Sequence, residues 1–108
     1  MTTAQSDQYA FASQEDRSAT RSRLSIPAML RPAGSKRLQT VVRDISLSGF
    51  SASAIEPIPS GTNCWLTLPD SEAVQATVVW WERSVVGCAF TTLLTQSTHD
   101  AIIERWLV

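Results

Sequence analysis

Apolar and polar residues alternate along two stretches in the first half of the chain. A period of two is the pattern of a β-strand that buries one face, and each stretch therefore predicts one strand. The PAGS sequence at residues 32–35 separates the two stretches and predicts a turn. The positions on the apolar side are Leu24, Ile26, Ala28 and Leu30 in the first stretch and Leu38, Thr40 and Val42 in the second.

Further short apolar stretches follow, separated by residues that favour turns. Residues 44–49 lead into the first of them, since Asp and Ser side chains readily bond nearby backbone N–H groups. Pro57, Pro59 and Gly61 mark the next loop. About six short strands at close spacing, with no helical pattern between them, favour a small antiparallel barrel or sandwich. The later predicted strands are residues 50–54, 64–68, 74–81 and 85–91, the last two forming a hairpin across residues 82–84.

The last segment changes to a helical period. Residues 97–100, with the sequence STHD, have the form of a capping box that opens a helix. One face of this helix is apolar, so we expect it to close one end of the β-structure. His99 lies in the first turn without a constellation of catalytic type near it in the sequence, and we expect a surface residue. The apolar face consists of Ile102, Ile103, Trp106 and Leu107.

Trp80 and Trp81 are adjacent on a predicted strand, so their side chains must face opposite sides of the sheet. Two interpretations remain open. The pair marks a partner surface, together with Trp65 and Trp106, because tryptophan is enriched at interfaces. Alternatively, one ring packs inside and the other leans on the helix or the tail.

Length and composition indicate one globular domain. The chain has 108 residues with an apolar fraction of 44%, enough for one modest core. We expect a flexible N-terminal tail over residues 1–15 and a domain over residues 16–108. No leader pattern and no apolar run of membrane-spanning length is present, which predicts a cytoplasmic protein without membrane insertion. Cys64 and Cys88 lie in strand patterns without metal-ligand spacing, so we expect two buried free thiols and no metal site.

Basic residues are segregated along the chain although the net charge is only −1. Seven of the nine lie between Asp16 and Asp44 with no acid among them, whereas the rest of the chain is acidic. This distribution favours attraction of a compact dianion and argues against a broad nucleic-acid surface. The alternative is that arginines at strand edges merely keep a sheet soluble.

Two polar clusters match the chemistry of a guanine-bearing anion. Arg17 and Arg21 each offer a planar fork that fits guanine N7 and O6 or a phosphate. The carboxylate of Asp44 can accept two N–H groups from the other guanine edge, and the hydroxyl of Ser46 adds a third contact. Gly49 permits a positive φ or a close approach of backbone to ligand. The alternative is that the second cluster is plain turn chemistry.

The chain resembles the PilZ domain family at this point. Members carry an RxxxR motif on an N-terminal arm and a D/N-x-S-x-x-G motif at the start of a later strand, and both occur here, as RSATR at residues 17–21 and DISLSG at residues 44–49. Residues 24–31, 76–80 and 86–90 are also similar to the family. The resemblance covers roughly residues 15 to 108.

The resemblance implies a mainly β fold, a small six-stranded antiparallel β-barrel with a C-terminal α-helix. It also implies cyclic di-GMP as the ligand and no cofactor. Arg17 and Arg21 would then grip guanine and phosphate, while Asp44 and Ser46 take a guanine edge beside Gly49.

We expect a receptor and adaptor, not an enzyme, in a bacterial second-messenger pathway. Ligand binding would order the arginine arm and signal to a separate protein partner. The alternative is a PilZ-like interaction module that binds the nucleotide weakly or not at all. A small-barrel RNA binder would be expected to have a larger excess of basic over acidic residues. An enzyme is disfavoured because the sequence lacks a recognisable nucleophile and base pair, a metal cluster and a glycine-rich phosphate loop.

Overall fold

Six antiparallel strands close into a barrel, with one helix after the last strand. A computed structural model describes residues 24–107. The barrel order is β1-β2-β3-β6-β5-β4, and pairing of β4 with β1 completes the ring. The predicted mainly β barrel with a C-terminal helix is therefore confirmed, and the sandwich alternative is wrong. The elements are β1 (Ile26–Pro32), β2 (Leu38–Ile45), β3 (Gly49–Ser53), β4 (Asn63–Thr67), β5 (Val74–Glu82), β6 (Val85–Phe90) and α1 (Gln96–Trp106).

The core fills the inside of the barrel with the residues that the alternating pattern predicts. Every second side chain of a strand points inward, so each strand delivers two or three apolar groups to one shared interior. Closure of the ring leaves no strand edge exposed to pair with another chain. The largest fully buried side chains are Phe50, Ile26, Leu30, Leu66, Val42, Val78, Val86, Cys64 and Cys88.

Trp80 and Trp81 take different sides of the barrel wall, as predicted. The register of β5 against β6 shifts between Val78 and Trp80, which indicates a β-bulge. After the bulge Trp81 pairs with inward-facing Val86, packs against the core, and donates from Nε1 to the Ala54 carbonyl at 2.8 Å. Trp80 instead covers Gly87, where an added Cβ would collide with the indole ring. Trp80 therefore leans on a neighbouring strand. The tail, which was one of its expected supports, lies outside the described residues.

Both cysteines are free and buried, as predicted. Their sulfur atoms lie 3.9 Å apart inside the barrel. Cys64 and Cys88 belong to the two strands that flank β5, so their Cα atoms are separated by two strand spacings, roughly 8–10 Å, beyond the reach of an unstrained disulfide. Contact with the Cys64 thiol and burial both raise the pKa of Cys88, so this thiol stays protonated at neutral pH.

Helix α1 begins two residues earlier along the chain than the capping-box pattern predicts. Thr95 is the N-cap, and its hydroxyl accepts a hydrogen bond from the Thr98 amide at 3.1 Å. The predicted box at residues 97–100 therefore lies within the helix, and this prediction is wrong. Leu107 is also not on the packing face, because it follows the helix and is 54% exposed. The remaining predicted members of that face, Ile102, Ile103 and Trp106, do pack against the core.

Within residues 24–107, α1 is too short and too polar to cross a membrane, and the same part of the chain contains no longer helix.

The strand turns follow the predicted positions. Pro32 accepts a hydrogen bond from the Ser35 amide at 3.0 Å, and Gly34 supplies the positive φ of 77° that this turn requires.

The β5–β6 turn forces two ordinary residues into the left-handed region. Arg83 and Ser84 have φ values of 52° and 65°, as a two-residue type I′ hairpin requires, although neither is Gly or Asn. We expect Ser84→Gly to raise the free energy of unfolding by about 1 kcal/mol, because a Cβ in this region costs roughly 1–2 kcal/mol. Urea denaturation measures the change. Ser84→Ala is the control and should give no stabilisation; equal gains in both variants would contradict the explanation by backbone strain.

Candidate functional site

Asp44 stands at the end of β2 on the outer face of the barrel. The register of β2 against β3 shifts between Val42 and Asp44, so Asp44 pairs with Ser51 while Ile45 turns inward. The Ser51 hydroxyl donates a hydrogen bond to Asp44 Oδ2 at 2.8 Å. Ser51 is buried, and its short side chain therefore holds the half-buried carboxylate in one orientation. The pattern of the sequence did not reveal Ser51 as a partner, since the bulge that creates the pairing has no clear sequence signal.

Ser46 holds the following loop together. Its amide donates to the Gly49 carbonyl at 2.8 Å, and its Oγ accepts from the amides of Ser48 and Gly49 at 3.3 and 3.2 Å. The side chain is buried, so most of its hydrogen-bonding capacity is used within the loop. These hydrogen bonds are the turn chemistry that was the alternative explanation for the polar residues at 44–49. A contact of Ser46 with a ligand stays a prediction.

Gly49 is required by packing between strands. Its φ does not lie in the left-handed region, so that part of the prediction is wrong. A Cβ at this position would collide with the backbone carbonyl of Cys88 on β6. The absence of a side chain therefore lets β3 approach β6 closely at the start of the strand.

The C-terminal part of the chain fixes the same loop from outside. Ser48 O accepts from the Phe90 amide at 2.8 Å, and Leu47 O accepts from the Leu94 amide at 2.9 Å. His99 Nε2 lies 3.4 Å from the Ile45 carbonyl. With 21% of its side chain exposed, His99 is not the surface residue that we expected, because α1 turns its ring toward the barrel. A helix start gives no indication of such a distant contact.

Four residues on four neighbouring strands form a row that begins at Asp44. Asp44 pairs with Ser51, Ser51 with Gly87, and Gly87 with Trp80. Because the indole of Trp80 covers Gly87, the outer face combines a carboxylate acceptor with a flat aromatic surface. Such a combination suits a planar, hydrogen-bond-donating group. The sequence does not connect Trp80 to Asp44, since the connection depends on both bulges.

The two motif arginines, Arg17 and Arg21, lie outside the described residues, as does the predicted tail at residues 1–15. The described chain begins beside the site. The Leu24 amide donates to the Arg43 carbonyl at 3.0 Å, and Leu24 also forms a bridge with Leu107. The segment that carries both arginines is therefore covalently attached next to Asp44.

Other charged groups in the described part of the chain do not form a second site. Arg31 stacks on the Trp65 ring, with its guanidinium carbon 4.4 Å from the ring centroid. Lys36 and Arg37 are exposed at the far end of the barrel, after the β1–β2 turn. Among residues 24–107, no group of three or more His, Cys, Asp or Glu side chains is arranged to hold a metal ion.

Comparison with known families agrees with this architecture. The sequence profile of the PilZ domain family matches residues 15–107. The chain belongs to the PilZ domain family, whose members are binding and adaptor modules. The match includes both arginine positions and the loop at residues 44–49. No curated protein matches the chain.

Gly49→Ala tests the packing role of this glycine. We expect a loss of about 1–3 kcal/mol in the free energy of unfolding, because the new methyl group meets backbone that cannot rotate away. Gly87→Ala is a matched control, since there the nearest atoms to the methyl group belong to the Trp80 side chain, which can move, and not to the backbone. Thermal and urea unfolding of both variants give the comparison. A larger loss at Gly87 than at Gly49 would contradict this account.

Proposed function

We propose that this protein is a cyclic di-GMP receptor and adaptor that signals to a separate protein. One observation supports this most: the carboxylate of Asp44, oriented by Ser51, lies beside the point where the chain carrying Arg17 and Arg21 joins the barrel. Membership in the PilZ family supports the same ligand class.

Each residue type matches one part of the ligand. A guanine presents N1–H and an exocyclic amine on one edge, and the Asp44 carboxylate accepts from both. The opposite edge presents N7 and O6, which an arginine fork meets with two parallel hydrogen bonds. Arg17 and Arg21 supply two forks, one for this edge and one for a phosphate. Ser46 keeps the loop in the shape that presents Asp44 and contributes its hydroxyl to the same edge.

Chain connectivity makes this clamp feasible. Arg21 precedes Leu24 by three residues, so the two Cα atoms are at most roughly 11 Å apart. The Leu24 amide is itself hydrogen-bonded to Arg43, the residue before Asp44. An arginine side chain starting within that radius spans the remaining distance to a ligand held at Asp44.

The signal in this proposal is the ordering of the arginine segment. Binding draws residues 17–23 onto the barrel, and the surface made by this segment and the ligand is what a partner protein recognises. The cost of ordering the segment lowers the affinity for the nucleotide. The same cost makes the partner surface dependent on the ligand.

Arg21→Ala and Asp44→Ala should each weaken cyclic di-GMP binding about ten-fold or more, because one bidentate contact to a base edge is worth ~1–3 kcal/mol. Isothermal titration calorimetry measures the affinity. Arg37→Ala and Glu56→Ala are matched controls, since both residues are exposed and lie at the opposite end of the barrel. Arg21→Lys should also bind poorly because an ammonium group cannot reproduce the planar fork.

Unchanged affinity in Arg21→Ala, together with an unchanged melting curve, would remove the arginine segment from the clamp. Absence of heat with the parent protein at millimolar ligand would instead favour the constitutive interaction module.

Limited digestion with trypsin tests the ordering step. We expect cleavage after Arg17, Arg21 or Arg23 to be fast in the free protein and slowed by saturating cyclic di-GMP, because a bound segment no longer fits the protease. Mass spectrometry identifies the sites. The Asp44→Ala protein provides the control, since it should show no protection at the same ligand concentration. Equal cleavage rates with and without ligand in the parent protein would refute the ordering mechanism.

A further inference from the structure

Helix α1 does not seal the end of the barrel. None of its residues is buried, although Ile102, Ile103 and Trp106 pack against the core. Between the helix and the barrel lies a groove with a volume of about 490 Å³. Ile45, Leu66 and Phe90 line its barrel side. The size is within the range that holds a small organic molecule, and it is sufficient for two aromatic side chains.

A polar contact lies at one rim of the groove. Arg105 Nη2 bonds to Asp70 Oδ2 at 3.1 Å and so connects α1 to the β4–β5 loop. This contact spans the rim, while the floor between Ile102 and Phe90 is apolar. An apolar groove beside a half-exposed helix is stabilised when an apolar group covers it.

The N-terminal segment contains one apolar run. Tyr9 and Phe11 are the two aromatic residues outside the described part of the chain, and they lie in the sequence QYAFAS at residues 8–13. This run carries no charge, unlike the segment that follows it. Tyr9 and Phe11 are two residues apart, so an extended backbone points both rings toward one side.

The first described residue, Leu24, lies close to the groove. Leu24 forms a bridge with Leu107, directly after Trp106, which lines the groove. Phe11 precedes Leu24 by thirteen residues, a connection that spans at most about 45 Å and easily reaches across one end of a small barrel. A linker of this length gives an effective concentration on the order of 1 mM, so even a contact with a millimolar dissociation constant is about half formed.

We propose that residues 8–13 of this chain dock into the groove between α1 and the barrel, with Tyr9 and Phe11 as the buried side chains. The occupant is part of the same molecule, because its attachment point lies at the margin of the groove and its only apolar run matches the apolar floor. The proposal does not depend on cyclic di-GMP binding.

A nitroxide at position 8 tests the docking. The Gln8→Cys protein can be labelled selectively, since Cys64 and Cys88 are buried. We expect paramagnetic broadening to remove about half or more of the amide signal of Ile102 and Trp106. Amides of residues 33–37, at the other end of the barrel, serve as the reference. Equal signal loss at both ends of the barrel would overturn the proposal.

Two pairs of variants assign the contact. In the labelled protein, Tyr9→Ser with Phe11→Ser should abolish the broadening, whereas Ala10→Ser with Ala12→Ser should retain it. On the groove side, Ala101→Gln should reduce the broadening because Ala101 lines the groove, whereas Glu104→Gln should not because Glu104 lies outside it. Both helix positions are exposed, so the fold is expected to survive. Persistence of the broadening in Tyr9→Ser with Phe11→Ser would reject the two rings as the docking groups.

A mixing experiment excludes docking between molecules. Labelled protein without ¹⁵N is added to ¹⁵N protein without a label. We expect no broadening at Ile102, and in the singly labelled ¹⁵N protein the broadening should be independent of dilution. Broadening in the mixture would show that a second copy fills the groove, and the intramolecular proposal would be wrong.

Discussion

Closure of the sheet by the pairing of β1 with β4 is the constraint on which the rest of the structure depends. A closed ring of hydrogen bonds fixes the total stagger of its strands, and the register of each pair decides which side chains face inward. The interior is then filled from all six strands at once. Polar groups that carry chemistry must lie outside the ring or at its ends, and the loop from Ser46 to Ser48 lies at such an end.

Two bulges adapt this ring to a site. The irregularity after Val42 turns Asp44 outward, and the one after Val78 turns Trp80 outward while it sends Trp81 to the core. Each bulge adds one residue to a strand and so changes the side on which the following residues emerge. The two strands between them, β3 and β6, pair with each other without a shift in register. The carboxylate of Asp44 and the indole of Trp80 lie on the outer face because each bulge interrupts the alternation that otherwise places these positions in the core.

Much of the architecture could be predicted because it depends on local periodicity. Period-two alternation located the strands, and the change of period located the helix. The partners of individual residues could not be predicted in the same way. Ser51 meets Asp44 only through a shifted register, and His99 approaches Ile45 only because α1 packs against the barrel. Leu107 fits the helical face by spacing, yet the helix ends before it. The arginine positions lie outside the described residues, so their role rests on sequence and family.

The hydrogen bonds from Phe90, Leu94 and His99 to the loop at residues 45–48 have a thermodynamic consequence. They make the loop and the C-terminal segment parts of one equilibrium, because neither can move without changing the carbonyl contacts of the other. If a molecule that binds the loop alters the affinity of a molecule that binds α1, the second alters the affinity of the first by the same factor. Such reciprocity needs no large rearrangement of the barrel, and its sign depends only on which arrangement of these three contacts each molecule favours.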